Sequence, residues 1–147
     1  MAVSASTTRE GSIRVACASN GGEVLDGHFG SCEHFLVYKV SPGDIALVEQ
    51  RDTDVTDDAY DKNVARAALI ADCQVVFIQS IGGPAAAKVV RAGVHPVKVP
   101  KPVPTEEILV KLQSALESPP PWLAKAMGVE AASLNPYRDL IEAGEES

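Results

Sequence analysis

A chain of 147 residues that is 46% hydrophobic and 22% charged has the size and composition of one globular domain. A chain of this size buries about 70% of its unfolded surface, so it folds without needing disulfides or a metal. With 20 Asp and Glu against 13 Lys and Arg, and a net charge of −7, it lacks the cationic surface that nonspecific nucleic-acid or anionic-membrane binding requires.

Residues 1–12 read as a flexible leader, because Ser4, Ser6, Thr7, Thr8 and Gly11 offer nothing to bury. This start lacks the apolar core of a secretory signal, and no apolar run approaches the ~18 residues of a spanning helix. The expected compartment is the cytoplasm. Cys17, Cys32 and Cys73 are an odd number in a chain too large to need staples, which fits free thiols.

The run from Ile13 to Ala18 is apolar or small, as a strand covered on both faces should be. Phe35 to Val40 and Ile45 to Glu49 are the next strands, and the Ser41-Pro42-Gly43-Asp44 turn between them predicts antiparallel pairing. Five aspartates between 52 and 61 then lead into Val64, Ala65, Ala68 and Leu69 at helical spacing. An acidic lead followed by an apolar stripe predicts a helix that ends near Ala71. Gln74 to Gln79 is a buried strand, and Gly82-Gly83-Pro84 opens a helix that runs to Ala92 before Gly93. His95 to Val99 is a fifth strand. Pro100, Pro102 and Pro104 make a stiff connector, and Thr105 with Glu106 and Glu107 caps a helix to about Leu116. Three strands followed by helix, strand, helix, strand and helix define an α/β domain over residues 13–118, with a five-stranded mixed sheet flanked by helices. Residues 119–147 form a Pro-rich start and a tail. Its Trp122, Leu123, Met127, Leu134 and Tyr137 are apolar enough to pack on the domain or on a partner.

The stretch Asp26-Gly27-His28-Phe29-Gly30-Ser31-Cys32-Glu33-His34 lies between the first two strands, with glycines that permit sharp turns and close approach. His28 on such a loop either offers neutral imidazole to a soft or borderline metal or simply hydrogen-bonds backbone. A zinc site of His28, Cys32 and His34 lacks a completing fourth ligand. Cys17 and Cys73 fall in buried strands and read as small core hydrophobes, whereas Cys32 in the loop is expected to be exposed, an auxiliary ligand or a redox-sensitive thiol. The Ser80-Ile81-Gly82-Gly83-Pro84 junction is either an anion seat at a helix start or a tight turn. No nucleotide-binding glycine motif, nucleophile elbow or zinc-protease motif is present. The aspartates at 52 to 61 read as a solvated face rather than a metal-ion nuclease cluster.

The strand Ile13–Ala18, the Asp26-Gly27-His28-Phe29-Gly30 loop, the strand Phe35–Val40, and the Ser80 to Pro84 junction followed by Ala85-Ala86-Ala87-Lys88 closely resemble the nitrogenase iron-molybdenum cofactor accessory family. That group includes NifX, NifY, the nitrogenase gamma protein NafY and the C-terminal domain of NifB. The resemblance covers about Ile13 to Leu116, and its specificity lies in the H-F-G and G-G-P elements occurring together. The segment through Trp122-Leu123 and Asn135-Pro136-Tyr137-Arg138 looks like the tail of the NifX, NifY and NafY branch. The extra N-terminal domain of NafY has no counterpart here, so a core fragment and a shorter relative are both open.

The resemblance implies a ribonuclease H-like fold and non-catalytic binding of iron-molybdenum cofactor, or of the NifB cofactor precursor, for delivery to apo-dinitrogenase and other nitrogenase maturation proteins. It implies His28 as the metal ligand. Around it, Phe29, Gly30, Cys32, Gly82, Gly83 and Lys88 are the expected cofactor-binding residues, although Cys32 stands where relatives often carry a small residue. A transferable cluster needs few ligands, and an anionic one would be met by backbone N–H groups and by Lys88, Arg91 or Lys98. Residues 63–104 hold five Lys and Arg against one Asp, a locally basic stretch in an acidic chain. Two rival readings are a ribonuclease H-like metal-dependent nuclease and an interaction module that binds no cluster. The nuclease needs converging carboxylates, and the strands Ile13–Ala18 and Gln74–Gln79 contain none.

Overall fold

A computed structural model describes residues 12–127. The expected leader before residue 12, and Leu134 and Tyr137 of the expected tail, lie outside the described residues. The first strand, β1 (Ile13–Ser19), is covered on both faces as its apolar run predicts. Two further strands, β3 (His34–Ser41) and β4 (Asp44–Asp52), pair antiparallel, with β3 also antiparallel to β1 from Ile13↔Val40 to Ser19↔His34. On the other side, β5 (Val75–Ile78) and β6 (His95–Lys98) extend the sheet in parallel. The order β4-β3-β1-β5-β6 is the mixed five-stranded sheet that the element order implies.

The proline connector is less free than a spacer. Its β7 (Val103–Pro104) pairs with β2 (Val24–Leu25), just after β1, in a separate two-stranded ladder that the sequence reading does not anticipate. Pro104 lies at an end of this edge pair, where a missing N–H is tolerated.

Helices cover both faces. The aspartate-led helix, α1 (Lys62–Leu69), ends slightly earlier than expected. Part of its acidic lead is a 3₁₀ turn at Thr53–Thr56, and Asp61 is its N-cap, accepting from Val64 N–H at 3.1 Å. The next, α2 (Gly83–Arg91), has Pro84 in its first turn, and Gly93 beyond it takes a positive φ of 93°. Then α3 (Thr105–Leu116) differs from the reading in its cap, since Thr105 is buried inside the helix and makes no capping bond. A short α4 (Pro121–Met127) follows.

Strand alternation divides the core in two. Ala16, Ala18, Val76 and Ile78 face one side with Phe29, Phe35, Ala67, Ile70, Ala85 and Val89 of the loop, β3, α1 and α2. Ile13, Val15, Cys17, Val75 and Phe77 face the other side, with Leu109, Leu112, Leu116 and the fully buried Leu123 of α3 and α4. Each large apolar side chain so buried contributes about 1.5–3 kcal/mol relative to exposure. The chain is thus three layers, helix on sheet on helix, with the β1–β3 loop at one end of the central strands. Among the described residues, no helix is long and apolar enough to cross a membrane.

Candidate functional site

After β1 the chain returns along the C-terminal end of β5. Gly27 N–H donates to Ala18 O at 3.1 Å, Gln79 N–H to Gly27 O at 2.8 Å, and Phe29 N–H to Ser80 O at 3.0 Å. His28 and Ser80 thereby form an isolated parallel bridge. The close approach demands glycine at position 27, where a Cβ would sit 2.6 Å from Cys32 Cβ and 2.8 Å from the Ala18 carbonyl carbon. This extended pairing sends successive side chains to opposite sides. Phe29 enters the core against Phe35, with ring centroids 5.7 Å apart, and His28 stands in solvent.

His28 is exposed but oriented. Its Nδ1 lies 2.6 Å from Ser80 Oγ, and Nε2 has no hydrogen bond among the described residues. In the tautomer in which Nδ1–H donates to the hydroxyl, Nε2 presents its lone pair outward, the arrangement an imidazole ligand needs. Beyond His28 the loop closes tightly, with Ser31 N–H and Cys32 N–H both donating to His28 O.

The same junction supplies the glycines. Ser80 leads through Ile81 to Gly82, the N-cap of α2, and to Gly83 in its first turn, both exposed. Free N–H groups at this end would favour an anion. His28, Gly30, Gly82 and Gly83 therefore lie at one end of the sheet.

Three expected residues are placed differently. Phe29 has no exposed surface, so its ring anchors the loop and is not presented to a ligand. Cys32 is 1% exposed rather than an open thiol, because Thr53 and Arg66 close over it. Burial pushes its pKa up to about 11 despite Arg66, so it is neither a ready ligand nor a reactive thiol. Lys88 is turned toward α1, where its Nζ pairs with Asp61 at 3.1 Å. Cys17 and Cys73 are buried, as core residues should be, and burial likewise raises both thiols, Cys73 to about 12.

Two residues of the site are not visible as such in the sequence. One is Ser80, whose place in the Gly-rich junction does not reveal a contact with an imidazole 52 residues away. The other is Arg66, 4% exposed, whose Nη1 donates to the Phe29 and Cys32 carbonyls at 3.1 Å each. Its only signal is a basic residue one helical turn before the buried Ile70. Beside Arg66 an open cleft of about 350 Å³ is lined by Ser31, Glu33, His34, Asp52, Asp54 and Asp57. His34 is engaged there, with Nδ1 2.7 Å from Asp52 Oδ1. Among the described residues, no three His, Cys, Asp or Glu side chains are grouped to hold a metal ion.

The sequence matches the model of the family described as dinitrogenase iron-molybdenum cofactor over residues 11–115. It is 52% identical over 120 residues to protein NifY of Azotobacter vinelandii, a match covering 81% of this chain and 50% of NifY. The chain therefore spans about half the length of that relative. Protein NifX of Sinorhizobium fredii is 36% identical over 141 residues, covering 89% of this chain and 88% of NifX. The apo form of the orange protein from Desulfovibrio gigas shares the fold, with a TM-score of 0.59 at 17% identity over 70% of this chain and 88% of that one. A family match across most of the chain, together with a NifX match along nearly its whole length, means that the chain belongs to the dinitrogenase iron-molybdenum cofactor family, with NifX and NifY among its relatives.

Proposed function

We propose that this protein binds and carries iron-molybdenum cofactor, or the NifB cofactor precursor, during nitrogenase maturation, with His28 as the principal ligand and apo-dinitrogenase as the acceptor. The cluster is cargo rather than a resident group, and the chain acts as carrier rather than catalyst. The observation that carries this reading is the exposed His28 imidazole, held at Nδ1 by Ser80 with Nε2 open. A single oriented nitrogen is enough to hold a cluster that must later leave. Membership of the family supports the choice of cargo. Backbone N–H groups at Gly30, Gly82 and Gly83 are the proposed neighbours of an anionic cluster. Lys88 reaches it only by leaving Asp61.

A ribonuclease H-like fold is part of the same reading. It is supported by a sheet in which β3 alone runs antiparallel to the other four strands, with β3 and β4 on one side of β1 and β5 and β6 on the other, in the order β4-β3-β1-β5-β6. A nuclease on that fold is disfavoured by the absence of Asp and Glu from β1 and β5.

The test is an anaerobic titration with isolated cofactor, followed spectroscopically. His28→Ala is expected to weaken binding by more than tenfold, Ser80→Ala by about tenfold through loss of ring orientation, and Cys32→Ser not at all. Unchanged binding by His28→Ala overturns the assignment.

A further inference from the structure

The aspartates from 52 to 61 read as a solvated run, but the structure gives them different tasks. Asp52 is bonded to His34 and Gln50, and Asp61 caps α1 and pairs with Lys88. Asp54, Asp57 and Asp58 have no side-chain partner among the described residues. Interleaved with them are three exposed apolar side chains: Val55 at 70%, Tyr60 fully exposed, and Val64 at 46%. Single exposed apolar residues are ordinary, but three in the stretch 55–64, with an aromatic among them, are what interfaces use. Asp54 and Asp57 also belong to the open cleft, where Glu33 and Asp52 bring the carboxylates to four around the one buried guanidinium of Arg66. Lys62 is the single cation between residues 52 and 64.

This ledge is bonded to the candidate ligand loop. Thr53 N–H donates to Glu33 O at 3.0 Å, and its hydroxyl donates to Cys32 O at 2.8 Å. Arg66, two residues past Val64, holds the Phe29 and Cys32 carbonyls. A partner seated on the ledge would therefore lie against the loop that carries His28.

We infer that the 54–64 ledge and the adjoining acidic cleft form a docking surface for a protein that presents an apolar side chain flanked by Lys or Arg. This rests on the carrier reading, the partner being the protein that receives the cluster. Charge complementarity selects a basic face, since unpaired carboxylates repel an acidic one. A second copy docking through the same patch about a two-fold axis would set these carboxylates against themselves.

The test measures binding of the full chain to immobilised apo-dinitrogenase across a salt series, alongside the cofactor titration. Two variants are compared with the parent: Val55→Ser/Tyr60→Ser/Val64→Ser, and Asp54→Asn/Asp57→Asn/Asp58→Asn, which keeps side-chain size should the first fail to fold. Each is expected to bind apo-dinitrogenase at least tenfold more weakly and to bind cofactor as the parent does. The Asn variant is also expected to lose most of the salt dependence. Parent-like binding by both folded variants overturns the inference, as does failure of the parent to bind. So does self-association of the parent that the variants abolish. Failure of the carrier reading is separate, and shows as a parent that does not bind cofactor.

Discussion

At Gly27 one hydrogen atom decides the geometry of the loop. The ideal Cβ position there lies 2.6 Å from Cys32 Cβ and 2.8–2.9 Å from Ala18, inside contact distance of backbone and of a short side chain that cannot swing away. Gly27→Ala must separate the loop from β1, breaking the Gly27–Ala18 bond and tilting His28 away from Ser80. The expected cost is about 1–3 kcal/mol, read as a fall of roughly 3–12 °C in thermal midpoint together with weakened cofactor binding. The neighbouring Cys32 makes a contrasting prediction. With its thiol buried and its pKa pushed up to about 11, it should resist alkylation at pH 8 in the native protein and react fully in denaturant. Rapid native labelling of Cys32 would show that the Thr53 and Arg66 cover opens freely.

Between elements, the clearest strut joins the end of β4 to the turn between α1 and β5. Arg51 binds both carboxylate oxygens of Asp72 at 2.6 and 2.8 Å and donates to Leu69 O, while Arg14 lies 3.7 Å from the same carboxylate. Arg51 holds the Asp72 pKa at about 2, below the usual carboxylate range. A depressed pKa means that the unfolded chain takes up the proton first, so the contribution is fully present above about pH 4 and is lost as pH falls toward 2. Because Asp72 is half exposed, solvent and salt reduce its size. Urea unfolding of the parent and of Asp72→Asn should differ near neutrality and converge between pH 4 and 2. This strut also marks where reading the sequence succeeds and where it stops. The apolar runs of β1 and β5 and the stripe of α1 announce their elements because burial on two faces, or on one helical face, leaves a period in the chain. The exposure of Cys32 could not be read that way, since the residues covering it stand 21 and 34 positions away. The engagement of Lys88 by Asp61 and of His28 by Ser80 is likewise a product of tertiary placement. The β2–β7 ladder, two residues per strand, is too short to show any period.

Across the whole molecule, the acidic excess is unevenly spread, and the second core is closed by an element that the α/β pattern did not require. Leu123 of α4 is fully buried among Leu25, Leu109, Leu112 and Leu116, and Trp122 stacks on His95 at the edge of the sheet, with ring centroids 4.7 Å apart and 17° between planes. Partial burial, and then the charge of Lys125 on the same helix, lower the His95 pKa from its ordinary value. The sign follows directly. The folded protein disfavours protonated His95, so stability is complete above the unfolded value of about 6.5 and declines as pH falls below it. Protonation places a second positive charge near Lys125, and the weakest response available is release of the seven-residue α4, which has the fewest turns to lose. Trp122 is the only tryptophan in the chain and reports on this directly. Its emission should shift to the red only as pH falls below about 6.5, before any change in the far-ultraviolet signal of the sheet and longer helices. His95→Phe retains an aromatic partner but no titrating nitrogen, so its emission should stay constant over the same interval. A parent whose emission is flat, or a Phe variant that follows the parent, would show that α4 is held independently of His95.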